Sequence, residues 1–113
     1  RYDNPNRHSL EQKLALMENS AACISFSSGL AAATAVFQSL KSGDHIVLPD
    51  DAYFSMYSIL DHLFVNFGLT YSRVDLTNLE QLQASIQPAT KLIWMETPSN
   101  PLLKVTDIEA VVA

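Results

Sequence analysis

The spacing of apolar positions changes repeatedly along the chain, and each change marks an element. Leu10, Leu14 and Met17 recur at helical intervals behind Ser9, a residue type that caps helix N-termini, so a helix is predicted from Ser9 to about Glu18. Residues 22–26, Ala-Cys-Ile-Ser-Phe, read as a short buried strand. Ser27-Ser28-Gly29 then reads as a turn and residues 30–40 as an alanine-rich helix stopped by Ser42-Gly43. The unit then repeats. His45–Pro49 reads as a strand emptying into Asp50-Asp51-Ala52-Tyr53, and Met56, Leu60, Leu63, Phe64 and Phe67 give one helix ending at Gly68. Thr70–Val74 alternates as a strand does, residues 78–86 carry Leu79, Leu82 and Ile86 on one helical face, and residues 91–95 form a last apolar strand. Strands alternating with helices predict an α/β fold with right-handed crossovers and a mainly parallel sheet covered by helices on both faces. No linker, low-complexity tract, fixed-period repeat or domain boundary interrupts the pattern.

Composition narrows the function classes. At 113 residues and nearly half apolar, the chain can bury a core. A formal net charge of -5 with seven scattered basic residues leaves no electrostatic footprint for nucleic acid or an anionic membrane, so small-molecule chemistry is expected. No apolar run approaches a membrane span, and the polar start does not resemble a signal peptide. Cys23, the only cysteine, allows no intramolecular disulfide and is expected as a small buried hydrophobe, which suits a reducing, cytoplasmic setting. Arg1 is not an initiator methionine and residues 107–113 stop inside an apparent helix, so a fragment truncated at both ends is expected.

Three places carry candidate chemistry. Residues 91–95 run straight into Glu96-Thr97-Pro98-Ser99-Asn100-Pro101, and ligands of open α/β sheets bind beyond the carboxyl ends of the strands. The two prolines predict a stiff, extended mount for Ser99 and Asn100; Asn100 either hydrogen-bonds a ligand oxygen or shapes a turn. Glu96, at the end of a buried strand, needs a partner or solvent. The turn Ser27-Ser28-Gly29-Leu30 brings serine hydroxyls and the Gly29 and Leu30 amides to a helix N-terminus. This is a geometry that binds phosphate, or else an ordinary strand-helix turn; Gly29 tolerates an unusual φ and close approach. Tyr53, beyond the strand ending at Pro49, either covers a planar ligand or anchors a helix on the sheet. His8, His45 and His62 share no metal-ligand spacing with each other or with Cys23 and read as surface or strand-end residues, so no metal site is expected.

Arg1-Tyr2-Asp3-Asn4-Pro5-Asn6, Leu10-Glu11, Ser28-Gly29-Leu30-Ala31-Ala32, Gly43-Asp44-His45, Asp51-Ala52-Tyr53, Thr90-Lys91-Leu92 and Glu96-Thr97-Pro98-Ser99-Asn100-Pro101 with Val105-Thr106-Asp107-Ile108, taken in order, resemble the pyridoxal-phosphate enzymes of cysteine and methionine metabolism. This is the trans-sulfuration family of cystathionine γ-synthase, cystathionine β- and γ-lyases, methionine γ-lyase and O-acylhomoserine sulfhydrylases. The resemblance implies that residues 1–113 are the N-terminal part of a cofactor-binding large domain with the type I aminotransferase fold. It also implies an amino-acid substrate and a homodimeric or homotetrameric full-length enzyme. In that scheme Ser28, Gly29 and Leu30 hold the phosphate of pyridoxal 5'-phosphate, Tyr53 stacks on its ring and Asn100 hydrogen-bonds near its phenolic oxygen. Arg1 matches the arginine of a Tyr-x-Arg motif that reaches the neighbouring subunit's phosphate.

The same resemblance expects the Schiff-base lysine, an aspartate on the pyridine nitrogen and an arginine for the substrate carboxylate downstream of Ala113. Lys13, Lys41, Lys91 and Lys104 do not lie in the family's Ser-x-Thr-Lys context and read as solvated helix, turn or strand-end residues, so the chain by itself is expected to be inactive. Phe54-Ser55 and Ser58 stand where many members have glycines and an arginine facing the distal substrate group, which leaves γ-lyase, synthase and sulfhydrylase chemistry all open. A different class is a nucleotide- or phosphate-binding α/β module without catalysis, with Gly29 at a diphosphate and Asp50 or Asp51 at a ribose. It lacks the Gly-x-Gly-x-x-Gly spacing.

Overall fold

All five residues of strand β1 (His45–Pro49) are buried, because β1 lies between two parallel neighbours in a sheet of order β2-β1-β3, with β2 at Thr70–Val74 and β3 at Thr90–Ile93. A strand paired on both edges and covered on both faces has no solvent side, hence the unbroken Ile46-Val47-Leu48 run. β1 and β2 pair without interruption from His45 opposite Thr70 to Pro49 opposite Val74, whereas the β1–β3 register shifts between His45 and Ile46. This computed structural model describes residues 4–113. The chain divides into two compact units, Arg1–Ala33 and Thr34–Ala113, and the sheet belongs wholly to the second.

Helices flank both faces of that sheet, as the alternation of the pattern predicts. On one face Val47 joins Val74, Leu76 and Leu82, with Ile93, Met95 and Val111 packed against them, so that helices α4 (Leu79–Ser85) and α5 (Ile108–Val112) cover it. Strand alternation sends Trp94 to the opposite face. There Phe37 of helix α2 (Gly29–Gln38) meets Trp94 at 5.6 Å between ring centroids and Phe64 edge-on at 5.5 Å.

One predicted helix is two elements. Helix α3 (Phe54–His62) ends at Leu63, and a 3-10 turn, Phe64–Phe67, carries the apolar spacing on to Gly68, which is left-handed at φ 80°. The dihedral calls for glycine, and a β-carbon at Gly68 would lie 2.3 Å from Ser42 Oγ and force that hydroxyl to move.

In the first unit the sequence expectations fail twice. Helix α1 (Pro5–Met17) starts earlier than Ser9: the Asn4 carboxamide accepts hydrogen bonds from the Asn6 and Arg7 amides at 2.9 and 3.3 Å, and Pro5 opens the helix. Asparagine followed by proline is the stronger start signal, and it overrode the apolar stripe, because α1 buries none of its residues. Residues 22–26 form no strand. Ile24 is 73 % exposed, Cys23 is only half-buried, and the Ser25 amide and hydroxyl both bond Glu11 Oε1 at 2.8 Å instead of joining a ladder. Those two bonds, the amide first, hold the Glu11 carboxyl below the usual carboxylate range, with Arg7 at 3.6 Å adding to them.

His45 sits at a strand end, as one of its two sequence readings has it, but it is buried there. Only 1 % exposed, its ring joins all three strands: Nδ1 lies 2.8 Å from Thr90 Oγ1, and Nε2 lies 2.9 Å from Ser72 Oγ and 3.2 Å from Gln87 Nε2. Burial pushes its pKa down from the ordinary 6.5, so the unfolded chain takes a proton before the folded unit does. His45 therefore contributes stability that is complete above the unfolded pKa, is lost as pH falls through the window down to the folded pKa, and levels off below it. Denaturant titrations of wild type and His45→Gln are expected to show a stability gap that narrows from about pH 8 to about pH 5. A gap independent of pH would contradict the buried neutral imidazole.

Candidate functional site

Because β1 and β3 are parallel neighbours, the loops that follow them, residues 50–53 and 94–104, leave from the same end of the sheet. All four residues of the first loop are tied down. Lys104 Nζ donates to Asp50 at 3.0 and 3.2 Å and to Asp75, just beyond β2, at 3.1 Å. Ser99 Oγ donates to Asp51 Oδ2, and the Tyr53 amide donates to Glu96 Oε2 at 2.9 Å. Ala52 donates its amide to the Tyr57 hydroxyl at 2.8 Å, and that hydroxyl donates to the Pro49 carbonyl at 2.5 Å. Lys104 is thus no solvated lysine: Asp50 and then Asp75 raise its pKa. Asp75 is held below its usual value by the Thr77 hydroxyl and amide and then by Lys104.

The second loop is compact, against the extended geometry that its prolines predict. Both the Thr97–Pro98 and Asn100–Pro101 peptide bonds are cis, and the chain turns back on Ser99. Ser99 is 2 % exposed, its amide donates to Lys104 O at 2.9 Å, its carbonyl accepts from Leu103 at 3.0 Å, and its Oγ accepts from the Lys104 amide at 2.9 Å. Asn100, the next residue, is exposed on this turn.

Glu96 finds the partners that its position requires. Besides Tyr53 it accepts from Trp94 Nε1 at 3.0 Å, which links the tyrosine's backbone to the indole packed on Phe37. The Tyr53 side chain, at the N-cap of α3, is 53 % exposed and stacks on no ring among the described residues. The helix anchor is Tyr57, a residue the sequence pattern did not single out: it is buried, with the Arg73 guanidinium 3.9 Å above its ring.

In the other unit, Ser28 caps α2: its Oγ accepts from the Ala31 amide and its carbonyl from the Ala32 amide, both at 3.1 Å. The Gly29 amide has no partner among the described residues, and a β-carbon on Gly29 would meet nothing within 4 Å. Gly29 does not use the left-handed φ that glycine tolerates; the absent side chain leaves open space at a helix start. Leu30 follows as the second helical residue, half-buried. Arg1 lies outside the described residues.

The structure thus puts Tyr53 and Asn100 at one end of one sheet on loops laced together, and Ser28, Gly29 and Leu30 at a helix N-terminus. Sequence reading missed the lacing itself. Asp50 and Asp51, weighed there as ribose ligands, are both engaged by the second loop, which removes the basis of the nucleotide reading. Among the described residues no helix is long and apolar enough to cross a membrane.

Comparison with known proteins extends the picture beyond geometry. The chain is 43 % identical over 113 residues to the cystathionine beta-lyase MetC of Staphylococcus haemolyticus, covering all of the chain and 29 % of that protein. It is 44 % identical over 112 residues to the cystathionine gamma-synthase of Mycobacterium tuberculosis, covering 98 % of the chain and 29 % of the relative. The crystal structure of cystathionine gamma-lyase from Lactobacillus plantarum complexed with L-serine superposes with a TM-score of 0.92 at 41 % identity, over 96 % of this chain and 28 % of that one. The chain therefore spans less than a third of the length of these relatives. The sequence model of the Cys/Met metabolism PLP-dependent enzymes matches residues 1–113, the whole chain, and the chain belongs to that family.

Proposed function

We propose that the chain is the N-terminal part of the cofactor-binding large domain of an enzyme of sulfur amino-acid metabolism. The enzyme carries out γ- or β-elimination or replacement on cystathionine, homocysteine, methionine or O-acylhomoserine-type substrates. The observation that carries this reading is the pair of laced loops at the carboxyl end of β1 and β3, which present an exposed phenol and an exposed carboxamide in a chain of this family. The family matches divide among β-lyase, γ-lyase and γ-synthase, so the reading stops at the reaction class.

The residues present fit pyridoxal phosphate. Gly29 offers an unpartnered amide and open space where a side chain would stand, at the positive end of the ten-residue helix α2. On this reading Ser28, Gly29 and Leu30 hold the phosphate. Tyr53 lays its exposed ring on the pyridine face, and Asn100 hydrogen-bonds the phenolic oxygen and fixes the ring's rotation. When bound, the cofactor supplies an electron sink for charge at the substrate's α-carbon. The chain's own part is then binding and orientation. Lys104 is spent on two carboxylates, and no lysine here serves as the Schiff-base lysine, so the chain by itself is inactive. On the same reading the full-length enzyme is a homodimer or homotetramer of the cytoplasm, and Arg1, outside the described residues, is assigned by the family resemblance to the phosphate of a neighbouring subunit.

Gly29→Ala separates function from folding. Since the added methyl meets nothing within 4 Å, thermal stability is expected to stay within about 0.5 kcal/mol of wild type. Retention of pyridoxal phosphate, read by its absorbance after gel filtration of the full-length enzyme, is expected to fall about tenfold or more, because the methyl occupies the phosphate's approach. Wild-type retention in Gly29→Ala would contradict the phosphate assignment. Tyr53→Ala is expected to weaken retention by about 1–3 kcal/mol while Tyr53→Phe keeps most of it, since stacking uses the ring face; equal losses in both would point to the hydroxyl instead.

A further inference from the structure

The strongest unabsorbed feature is the set of bonds between the loop after β1 and the loop after β3. Three of the four residues 50–53 are held by the second loop: Asp50 by Lys104, Asp51 by Ser99 and the Tyr53 amide by Glu96. The middle bond differs from its neighbours. Lys104 and Asp50 remain partly exposed, so their ion pair is screened, whereas Ser99 is nearly fully buried and its hydroxyl is used twice, donating to Asp51 and accepting from the Lys104 amide. Asp51 stands two residues before Tyr53, and Ser99 stands immediately before Asn100.

We propose that Asp51 and Ser99 are a positioning pair: their bond, part-buried with its donor in the interior, sets the placement of Tyr53 relative to Asn100, and neither residue touches the ligand. The inference rests on the cofactor reading above and adds to it the source of the site's preorganisation. Each loop carries one exposed ligand-facing group on a backbone that cannot move without breaking a bond to the other loop, and the Asp51–Ser99 bond is the one whose donor is shut away from water. Losing the Ser99 hydroxyl strands two groups at once, the Asp51 carboxylate and the Lys104 amide. Asn100 and Tyr53 would each keep their side chains and lose their fixed separation, which lowers affinity without removing a contact.

The test uses the full-length enzyme with Ser99→Ala, Asp51→Ala and the conservative Ser99→Thr, and two readouts. Amide hydrogen exchange of the unliganded protein reads the lacing itself; titration with pyridoxal phosphate, followed by quenching of Trp94 and absorbance, reads its consequence. Ser99→Ala is expected to raise exchange across residues 50–53, in the other loop, about tenfold or more and to weaken cofactor binding by about the same factor. Asp51→Ala is expected to do the reciprocal across residues 97–104, and Ser99→Thr to restore both. Unchanged exchange in the opposite loop would overturn the proposal whatever happens to binding. Raised exchange with wild-type affinity would overturn the positioning role. Raised exchange in a protein whose wild type binds no pyridoxal phosphate would overturn the functional reading and with it the positioning role, leaving only a structural link. If Ser99→Ala fails to fold, Asp51→Asn, which keeps a side-chain oxygen to accept from Ser99, must fold, retain low exchange and bind within about threefold of wild type, or the proposal fails.

Discussion

The burial of β1 between two parallel partners is the constraint from which the rest follows. With no solvent face and no free edge, the strand is fixed in position and register by Ile46, Val47 and Leu48, and His45 clasps both neighbours at its base. The loop leaving its other end has no freedom of direction at its root. Parallel pairing then places the loop after β3 beside it, and the side chains of Asp50, Asp51, Glu96, Ser99 and Lys104 turn that adjacency into a bonded frame. A rigid sheet thus delivers Tyr53 and Asn100 to solvent on short, restrained mounts.

Much of this was legible from residue patterns. β1 and β2 fall where apolar runs and alternation predict, α4 and α5 lie within the helical stretches expected at 78–86 and 107–113, and Gly68 closes the segment after α3. Those features are local, set by period and cap chemistry. What stayed hidden depends on distant partners. Residues 22–26 have the composition of a strand, yet Glu11, fourteen positions earlier than Ser25, claims the amide that a ladder would need. The two prolines around Ser99 give stiffness but not direction, and the turn back onto Ser99 is settled by bonds to Lys104 and Asp51, the latter 48 positions away.

The candidate site divides along the same line. Residue type and place at strand ends pointed to Tyr53 and Asn100, and a glycine turn at a helix start pointed to Ser28-Gly29-Leu30, although the strand expected before that turn does not form. The bonds that hold them were not legible: Lys104 read as solvated, Asp51 was weighed only as a ribose ligand in the alternative reading, and Glu96 was rightly given a need for a partner without the partner's identity. In sequence each is an ordinary charged residue near a loop. Only pairing across the sheet gives it a task, and the family match, which covers the chain as a whole, does not say how these groups are supported.

A crystal structure of the full-length enzyme grown with pyridoxal phosphate tests the central claim most directly. The account predicts the phosphate on the Gly29 and Leu30 amides, the pyridine face against the Tyr53 ring and the phenolic oxygen within hydrogen-bond distance of Asn100, with the bonds from Asp51 to Ser99 and from Tyr53 to Glu96 intact. A cofactor seated on other residues, with Tyr53 and Asn100 facing bulk solvent, would contradict it.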